Sequence, residues 1–215
     1  MISFIGGTGK LGFGLAMRFA NAGEEVIIGS RKLDKANGAA ERILEKIPDA
    51  RVRALENREA AEESGIVFLA VPYPAQGDIL RAISEALHGK VLVSVVNPFK
   101  CVNGEFVKLN VAHGSAAEEA QAFVPHAKVV SAFKNISHEV FTRIEEPIRC
   151  DTIVCSDHED AKKVVMDLAE KIGVKPIDGG PLRISRYLDA VTILLLNVNK
   201  RYGGNACLKI EFYDL

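Results

Sequence analysis

The 215-residue chain has 48% hydrophobic and 26% charged residues, as expected for a soluble globular protein of one domain, or of one domain with an extension. Its formal net charge of −1 shows no excess of positive charge that would indicate binding to nucleic acid or to an anionic membrane. No apolar run reaches the roughly 18 residues of a membrane span, and the N-terminus is predicted to be a sheet strand and not a signal peptide.

A turn rich in glycine dominates the start of the chain. Between apolar runs at 2–5 and 26–28, each predicted to be a strand, lies the turn Gly6-Gly7-Thr8-Gly9-Lys10-Leu11-Gly12, followed by a helix predicted over 9–22. Gly7, Gly9 and Gly12 match the G-x-G-x-x-G fingerprint of dinucleotide-binding folds, in the strand–turn–helix context that the motif needs. The glycines permit the tight turn, the approach of a pyrophosphate and close helix–strand packing. We expect N–H groups at the helix start to face the phosphates; a turn that only packs helix on sheet is the alternative.

The residues after the second strand select the cofactor. NAD-binding units carry Asp or Glu about 20 residues beyond the glycines, to bind the ribose 2′-hydroxyl. This chain has Ser30 and Arg31 there, with Lys35 one helical turn further on. A hydroxyl and a guanidinium bind a 2′-phosphate through charge-assisted hydrogen bonds, whereas a carboxylate repels it. The sequence therefore favours NADP(H) over NAD(H); ordinary solvated charges on a surface helix are the alternative.

Strands and helices are predicted to alternate along the rest of the chain. Helices are expected at 33–46, 57–64, 75–88, 115–123, 157–172 and 182–202, and strands at 51–55, 66–71, 90–96, 128–133, 152–155 and 174–177, while 101–110 shows a mixed pattern. This alternation predicts an α/β fold, a Rossmann-type doubly wound and mostly parallel sheet with a C-terminal helical extension. We expect an NADP-binding domain over 1–178 and a C-terminal helix and tail over 179–215.

The ends of two apolar strands are expected at the ligand side of the sheet. Ligands of open parallel sheets lie just outside the carboxyl ends of the strands. Val71, Pro72 and Tyr73 are therefore predicted to line the cofactor site, with Gln76 as a hydrogen-bonding residue. Asn97 offers both a donor and an acceptor to a ribose or carboxamide. A plain strand–helix connection is the alternative for the first set.

The four cysteines are predicted to be free thiols. Cys101, Cys150, Cys155 and Cys207 show no C-x-x-C spacing. Neither a metal site nor a disulfide framework is expected, and scattered thiols indicate a reducing compartment. We therefore predict a cytoplasmic protein without a metal.

The last predicted helix is more apolar than a solvated helix. Residues 191–196 form a nearly continuous apolar run. We expect one face of the helix to pack on its own sheet and another on a partner subunit in a homodimer. Packing within one chain is the alternative.

Several segments carry a family resemblance that spans nearly the whole chain. They are the turn at 6–12 with Gly29-Ser30-Arg31, the stretch 178–182 with Ser185-Arg186, and Leu194-Leu195-Leu196-Asn197. On these residues the chain resembles the NADPH:F420 oxidoreductases, which exchange hydride between NADP(H) and the deazaflavin coenzyme F420. The resemblance implies a homodimer with the C-terminal helix at its interface, and a loop after the sixth strand that meets the acceptor ring.

The resemblance also implies roles for individual residues. The implied ligands are Thr8, Gly9, Lys10 and Leu11 at the pyrophosphate, Ser30, Arg31 and Lys35 at the 2′-phosphate, and Val71, Pro72, Val96 and Asn97 at the ribose and nicotinamide. Two departures lie near the expected acceptor pocket. Lys134 stands where the family pattern has His or an uncharged polar residue, and 205–207 stands where family tails carry glycines. These departures do not affect the predicted NADP site, but they leave open which molecule accepts the hydride.

Direct hydride transfer between two rings requires close stacking and exclusion of water, and strictly no acid or base. A donor near the deazaflavin carbonyl would stabilise developing charge. Lys134 and, second, His138 are the candidates, with a solvated charge and a surface residue as the alternatives. The phosphate and glutamyl tail of F420 need cations, which the last helix offers in Arg183, Arg186, Lys200 and Arg201. Arg186 fits best.

The sequence is also compatible with two rival functions. One is a reductase of the same fold with another acceptor, such as an imine, a flavin or ferric iron. The other is a non-catalytic NADP-binding sensor protein.

Overall fold

An eight-stranded sheet lies at the centre of the protein, in a computed structural model that describes residues 1–213. The last two residues of the predicted tail, 214 and 215, lie outside the described part. The strands, in chain order, are β1 (Ile2–Ile5), β2 (Val26–Ser30), β3 (Val52–Glu56), β4 (Ile66–Leu69), β5 (Val91–Ser94), β6 (Phe99–Val102), β7 (Glu105–Lys108), β8 (Lys128–Ser131), β9 (Asp151–Ser156) and β10 (Lys175–Gly180). All but β6 and β7 belong to the sheet.

The strand order is β10-β9-β8-β5-β4-β1-β2-β3. Neighbours from β3 to β8 are parallel, β9 runs antiparallel to β8, and β10 is parallel to β9. Since β6 and β7 lie outside the sheet, β8 is its sixth strand, and the part from β3 to β8 has the order 3-2-1-4-5-6 of dinucleotide-binding folds. Ligands of such folds bind where the order reverses. Here the reversal lies between β1 and β4, so the carboxyl ends of these strands position the site. The predicted doubly wound, mostly parallel sheet is confirmed.

Helices cover both faces of the sheet. They are α1 (Lys10–Asn21), α2 (Leu33–Lys46), α3 (Asn57–Glu62), α4 (Gln76–Ile83), α5 (Ala116–Phe123), α6 (His138–Thr142), α7 (Glu159–Lys171) and α8 (Ser185–Tyr202). No helix of the described residues has the length and apolarity to cross a membrane. The predicted boundary at 178 falls inside β10, which extends to Gly180.

Alternation along β1 divides the core into two parts. Phe4 belongs to a core cluster that includes residues of α1, α2 and α7, whereas Ile5 belongs to one that includes residues of α3, α4 and α5. The rings of Phe4 and Phe68 are 4.8 Å apart, and Phe133 joins the same aromatic cluster below the end of β8. Each fully buried phenylalanine contributes about 1.5–3 kcal/mol of hydrophobic stabilisation, so the strand ends are held by a rigid core.

The β6–β7 hairpin was not expected, because β6 is exposed along its length and shows no apolar alternation. A usable signal was nevertheless present. Asn103 and Gly104 both have positive φ and form the two-residue turn of the hairpin. An Asn-Gly pair between strands is the strongest short-range sequence signal of this turn.

The C-terminal tail returns to β9 and is tied there by a disulfide. Cys150 and Cys207 are bonded, with their Cα atoms 5.7 Å apart. The prediction of free thiols is therefore wrong for these two residues, while Cys101 and Cys155 are free. The cause is tertiary, since a separation of 57 residues gives no local spacing to recognise.

Candidate functional site

The turn between β1 and α1 has no room for a side chain at Gly6, Gly7 or Gly12. A Cβ on Gly7 would lie 2.8 Å from Phe4 O, and one on Gly12 would lie 2.8 Å from Gly6 O. Gly6 itself has a φ of +78°, in the left-handed region that favours glycine. No side chain among residues 1–213 caps α1 at Gly9. The free N–H groups of its first turn, with the helix dipole behind them, can therefore bind an anion.

A basic cavity of about 470 Å³ opens beside this turn. It brings the turn together with the end of β2, the start of α2 and the residues after β4, as the sequence predicts. The predicted residues in its lining are Gly6, Thr8, Gly9, Ser30, Arg31, Lys35, Val71 and Pro72. Lys32 adds a further cation, and no carboxylate is found among the described lining residues. The charged side chains in these walls are therefore all positive, which suits a ribose that carries a 2′-phosphate and not one with a free 2′-hydroxyl.

Asn57 was missed by sequence reasoning. It lies directly after β3 and lines both the basic cavity and a neighbouring cavity of about 440 Å³. Its Oδ1 is buried without a partner among the described residues, so it can accept a hydrogen bond from a ligand. Its position past the carboxyl end of a parallel strand is the signal that could have found it.

A smaller cleft of about 210 Å³ adjoins the start of α1. The residues predicted for the nicotinamide and acceptor ends meet in its walls, namely Lys10, Leu11, Asn97, Lys134 and His138. Helix α8 and the tail close the other side. Ala206 lies in the segment 205–207 that was expected near the acceptor pocket, whereas the lining residues of α8 were not named as site residues: Thr192, Leu195, Leu196 and Asn199. Val96 is buried beside Asn97. The start of α1 therefore lies between two cavities, one basic and one largely apolar.

Asn97 is oriented by the chain around it. Its Nδ2 donates to Lys134 O at 3.3 Å, while its Oδ1 is buried and has no partner among the described residues. Thr192 Oγ1 also donates to Lys134 O, at 3.2 Å. The carbonyl of Lys134 thereby fixes the amide of Asn97 and leaves its oxygen free to accept.

The side chain of Lys134 lies elsewhere than the sequence led us to expect. Its Nζ is 2.5 Å from Asp189 Oδ1, and the two side chains are 1% and 0% exposed. Asp189 Oδ2 accepts a second hydrogen bond from Ala116 N at 3.1 Å. The backbone turns sharply just before this point, because Phe133 has a φ of 56°. Lys134 therefore joins β8 to α8 through a buried ion pair, and its direct contact with the acceptor stays a prediction.

Three other predicted ligands have partners on α5. Tyr73 OH donates to Glu119 Oε1 at 3.1 Å, and burial followed by Glu119 raises the pKa of Tyr73 to about 12. Gln76 Nε2 donates to Ala116 O and Glu119 Oε2, and Arg186 donates to both Glu118 oxygens. Two adjacent carboxylates in the first turn of α5 thus hold these side chains, and their roles as ligands stay predictions.

His138 begins α6 and lies near Lys10 in the wall of the cleft. Burial, and then the charge of Lys10, lowers the pKa of its imidazole. The ring is therefore neutral at pH 7 and offers one donor and one acceptor.

Arg18 fastens α6 to α1. Its guanidinium is buried and donates to five backbone carbonyls, those of Val140 (2.9 Å), Phe141 (3.3 Å), Arg143 (2.7 Å), Ile144 (3.2 Å) and Glu146 (3.1 Å). Close approach is possible because Gly14 has no side chain; a Cβ there would lie 3.0 Å from His138 O. The helix of the phosphate turn therefore also positions one wall of the cleft.

Replacing Arg18 with lysine should lower the free energy of unfolding by about 2 kcal/mol, because an ammonium cannot bond all five carbonyls. Urea unfolding measures this change. Arg143→Lys is the matched control, since that side chain is 54% exposed and should change stability by less than about 0.5 kcal/mol. Equal stability of the wild-type protein and Arg18→Lys would contradict the view that Arg18 holds α6 against α1.

Comparison with known proteins decides the family. A family model described as "NADP oxidoreductase coenzyme F420-dependent" matches residues 1–98. The F420-dependent NADP reductase of Methanothermobacter marburgensis is 44% identical over an alignment of 217 positions that covers 97% of each chain. The chain belongs to the F420-dependent NADP reductase family. The Methanocaldococcus jannaschii reductase of this family is 41% identical over 208 residues, covering 94% of this chain and 93% of its own.

A solved structure extends the family match to the fold. The crystal structure of an Arthrobacter sp. FB24 protein, provisionally assigned as an F420-dependent NADP reductase, matches with a TM-score of 0.81 at 25% identity. The match covers 94% of each chain. The F420-dependent NADP reductase resemblance seen in the glycine turn and the closing helix is thus confirmed.

Proposed function

We propose that this protein transfers a hydride directly between NADP(H) and F420. One observation carries the proposal, namely that a cationic cavity and a largely apolar cleft meet at the N-terminus of α1. NADP supplies the hydride chemistry at C4 of its nicotinamide when bound. The protein holds the two rings together, orients them and excludes water.

The basic cavity fits NADP. N–H groups at the start of α1 bind the pyrophosphate, and the glycine turn allows the phosphates to approach the backbone. Ser30, Arg31 and Lys35 bind the 2′-phosphate, because their donors converge in a cavity whose described walls lack carboxylates. Val71 and Pro72 pack against the ribose side.

The cleft fits the reacting rings. The unpartnered Oδ1 of Asn97 accepts from the carboxamide of the nicotinamide, which selects one orientation of that ring. Ile136, Leu195 and Leu196 supply apolar walls that keep water away from the acceptor ring. The Lys134–Asp189 ion pair acts indirectly, because it fixes Lys134, whose backbone carbonyl positions Asn97.

The assay mixes purified protein with NADPH and F420 and follows the absorbance of the deazaflavin. We expect loss of the oxidised deazaflavin band in step with NADPH oxidation. Turnover with a flavin, an imine or ferric iron but not with F420 would support the first rival. Tight NADP binding with every acceptor left unreduced would support the sensor protein.

Arg31→Ala should weaken NADP binding by about 10- to 150-fold, because a charge-assisted contact contributes about 1.5–3 kcal/mol. NAD binding should change little, since NAD has no 2′-phosphate. Isothermal titration with both cofactors measures the difference. Arg53→Ala is the control, because Arg53 is exposed and paired with Glu63. Equal loss for NADP and NAD would refute the 2′-phosphate assignment.

A homodimer is part of the proposal. Leu194 is 62% exposed on α8, and Tyr187 and Tyr202 on the same helix are also exposed. Helix α8 and the β6–β7 hairpin border a cavity of about 650 Å³. An exposed apolar helix face of this kind suits a symmetric partner. In that arrangement residues 179–215 complete both the cleft and the interface, and sedimentation equilibrium tests the mass.

The cytoplasmic location stays a prediction. It was drawn partly from the expectation that all four cysteines are free, and the Cys150–Cys207 disulfide removes that support.

A further inference from the structure

The tail after α8, residues 203–213, contributes to the wall of the cleft without any secondary structure of its own. Over this described stretch the chain forms neither a helix nor a strand. Ala206 lines the cleft, and its N–H donates to Asn199 Oδ1 on α8. The next residue, Cys207, is bonded to Cys150. The disulfide is therefore attached directly beside a residue of the cleft wall.

The disulfide is the main restraint on this tail. Among the described residues 203–213 none is fully buried, so the tail has little apolar packing to hold it. Segments with few buried contacts open locally at low cost in free energy. Hydrogen bonds near the surface supply the other attachments, namely Asn205 Nδ2 to Glu139 Oε2 (2.8 Å), Asp151 N to Leu208 O (2.9 Å) and Ile210 N to Asp151 Oδ2 (2.6 Å).

The two bonded sulfurs differ in their access to solvent. Cys150 is 5% exposed, directly before β9, whereas Cys207 is half-buried on the tail. Thiol–disulfide exchange depends on which sulfur the attacking thiolate can reach, and here that sulfur is Cys207 Sγ. Cys155 on β9 is a free thiol, but burial raises its pKa to about 11 and keeps it protonated at pH 7. A thiol from outside the chain is therefore the expected attacking group.

We propose that the Cys150–Cys207 disulfide is a reversible redox switch of the acceptor cleft, opened by a dithiol reductant. One thiolate of the dithiol attacks Cys207 Sγ, which breaks the S–S bond of the protein, forms a mixed disulfide and releases Cys150 as a thiolate. The second thiolate of the reductant then displaces Cys207. The dithiol is oxidised to a disulfide, and its two electrons and two protons pass to the two protein thiols.

Reduction should weaken the binding of F420 and leave the binding of NADPH unchanged. This inference rests on the proposed function, which places the acceptor ring in the cleft. Once the tail is released, F420 must offset the entropy of ordering it again before Ala206 can close the wall. The described lining of the basic cavity contains no residue of the tail. Linkage requires the reverse effect too, so bound F420 should favour the disulfide by the same factor.

The test places the whole protein in buffers of reduced and oxidised dithiothreitol, below its melting temperature. Alkylation followed by mass spectrometry reports the state of Cys150 and Cys207. We expect Kd for F420, measured by equilibrium dialysis, to rise about five-fold on reduction and to recover on reoxidation, while Kd for NADPH stays the same. Trypsin should cleave after Lys209 faster in the reduced protein. Saturating F420 should raise the ratio of reduced to oxidised dithiothreitol at half-reduction by about five-fold.

Two variants control the test. Cys101→Ser removes a free thiol and should keep every response. Cys150→Ser/Cys207→Ser should show the Kd of the reduced state and no response to dithiothreitol. If that double variant does not fold, the reversible response of Cys101→Ser decides the question.

The inference is overturned if the disulfide of the folded protein resists dithiothreitol, or if its reduction changes neither Kd for F420 nor cleavage after Lys209. An equal loss of affinity for F420 and NADPH would also overturn it, since the whole fold would then be disturbed. A Kd for F420 that follows the redox state, without turnover, would contradict the hydride transfer alone. Turnover with the same Kd in both states would contradict the switch alone.

Discussion

Replacing Lys134 with alanine should lower the free energy of unfolding by about 3–5 kcal/mol, which is the usual cost of removing one partner from a buried ion pair. The substitution leaves the Asp189 carboxylate, 0% exposed in its side chain, without its cation. The hydrogen bond from Ala116 N remains, but a single neutral donor does not compensate a buried charge. Urea unfolding measures the loss.

The double variant Lys134→Met/Asp189→Asn is the matched control. It removes both charges together, and the amide oxygen introduced at position 189 can still accept from Ala116 N. Replacing a whole buried pair with neutral groups is often nearly neutral, so this variant should recover most of the stability. Failure to recover would contradict the view that the unpaired charge causes the loss.

Kinetics of the same double variant distinguish positioning from direct contact. If Lys134 acts through its carbonyl, the side chain of Asn97 should become less well fixed and KM for NADPH should rise modestly. Any change in the rate of hydride transfer should then be explained by this weaker binding of NADPH. A large loss of kcat in a stable variant, with NADPH affinity unchanged, would instead favour the direct donor role predicted from the sequence.

Replacing Cys207 with serine should cost about 4 kcal/mol of stability by the chain-entropy model. The disulfide joins residues 57 positions apart, and its loss frees the unfolded chain. The melting temperature should fall by roughly 8–16 °C, at about 2–4 °C per kcal/mol for a protein of this size. Cys101→Ser is the control, because Cys101 is a free and exposed thiol. Equal melting temperatures for the two variants would contradict the prediction.

The same variant should also affect the acceptor site. The tail is held near the cleft by Asn205 bonding to Glu139 Oε2, and further on by Asp151 N bonding to Leu208 O. Ala206 itself lines the cleft. Without the disulfide the tail has fewer fixed contacts, so KM for F420 should rise while KM for NADPH stays the same. An equal rise in both would show that the whole fold, and not the cleft wall, is disturbed.

Local patterns predicted the fold and the residues that line the basic cavity. The glycine turn, the apolar strands and Ser30-Arg31 lie within one strand–helix–strand unit, so their spacing along the chain fixes their arrangement in space. The structure brings Gly6, Thr8, Ser30, Arg31 and Lys35 into one cavity as predicted. The predicted strands and long helices agree with the observed ones because each is long enough for its period to be recognised.

The acceptor half depends on contacts between distant segments. Lys134 meets Asp189 across 55 residues, Cys150 meets Cys207 across 57, and Glu118 captures Arg186 across 68. A charged or polar residue in a sequence shows what it can bind, but not which of its potential partners comes close enough to bind it. The sequence alone thus determined the dinucleotide fold and its preference for a 2′-phosphate, because those signals are local. Only the tertiary structure decided which cations are paired and which stay open, because burial and pairing arise when β8, α5, α8 and the tail pack together.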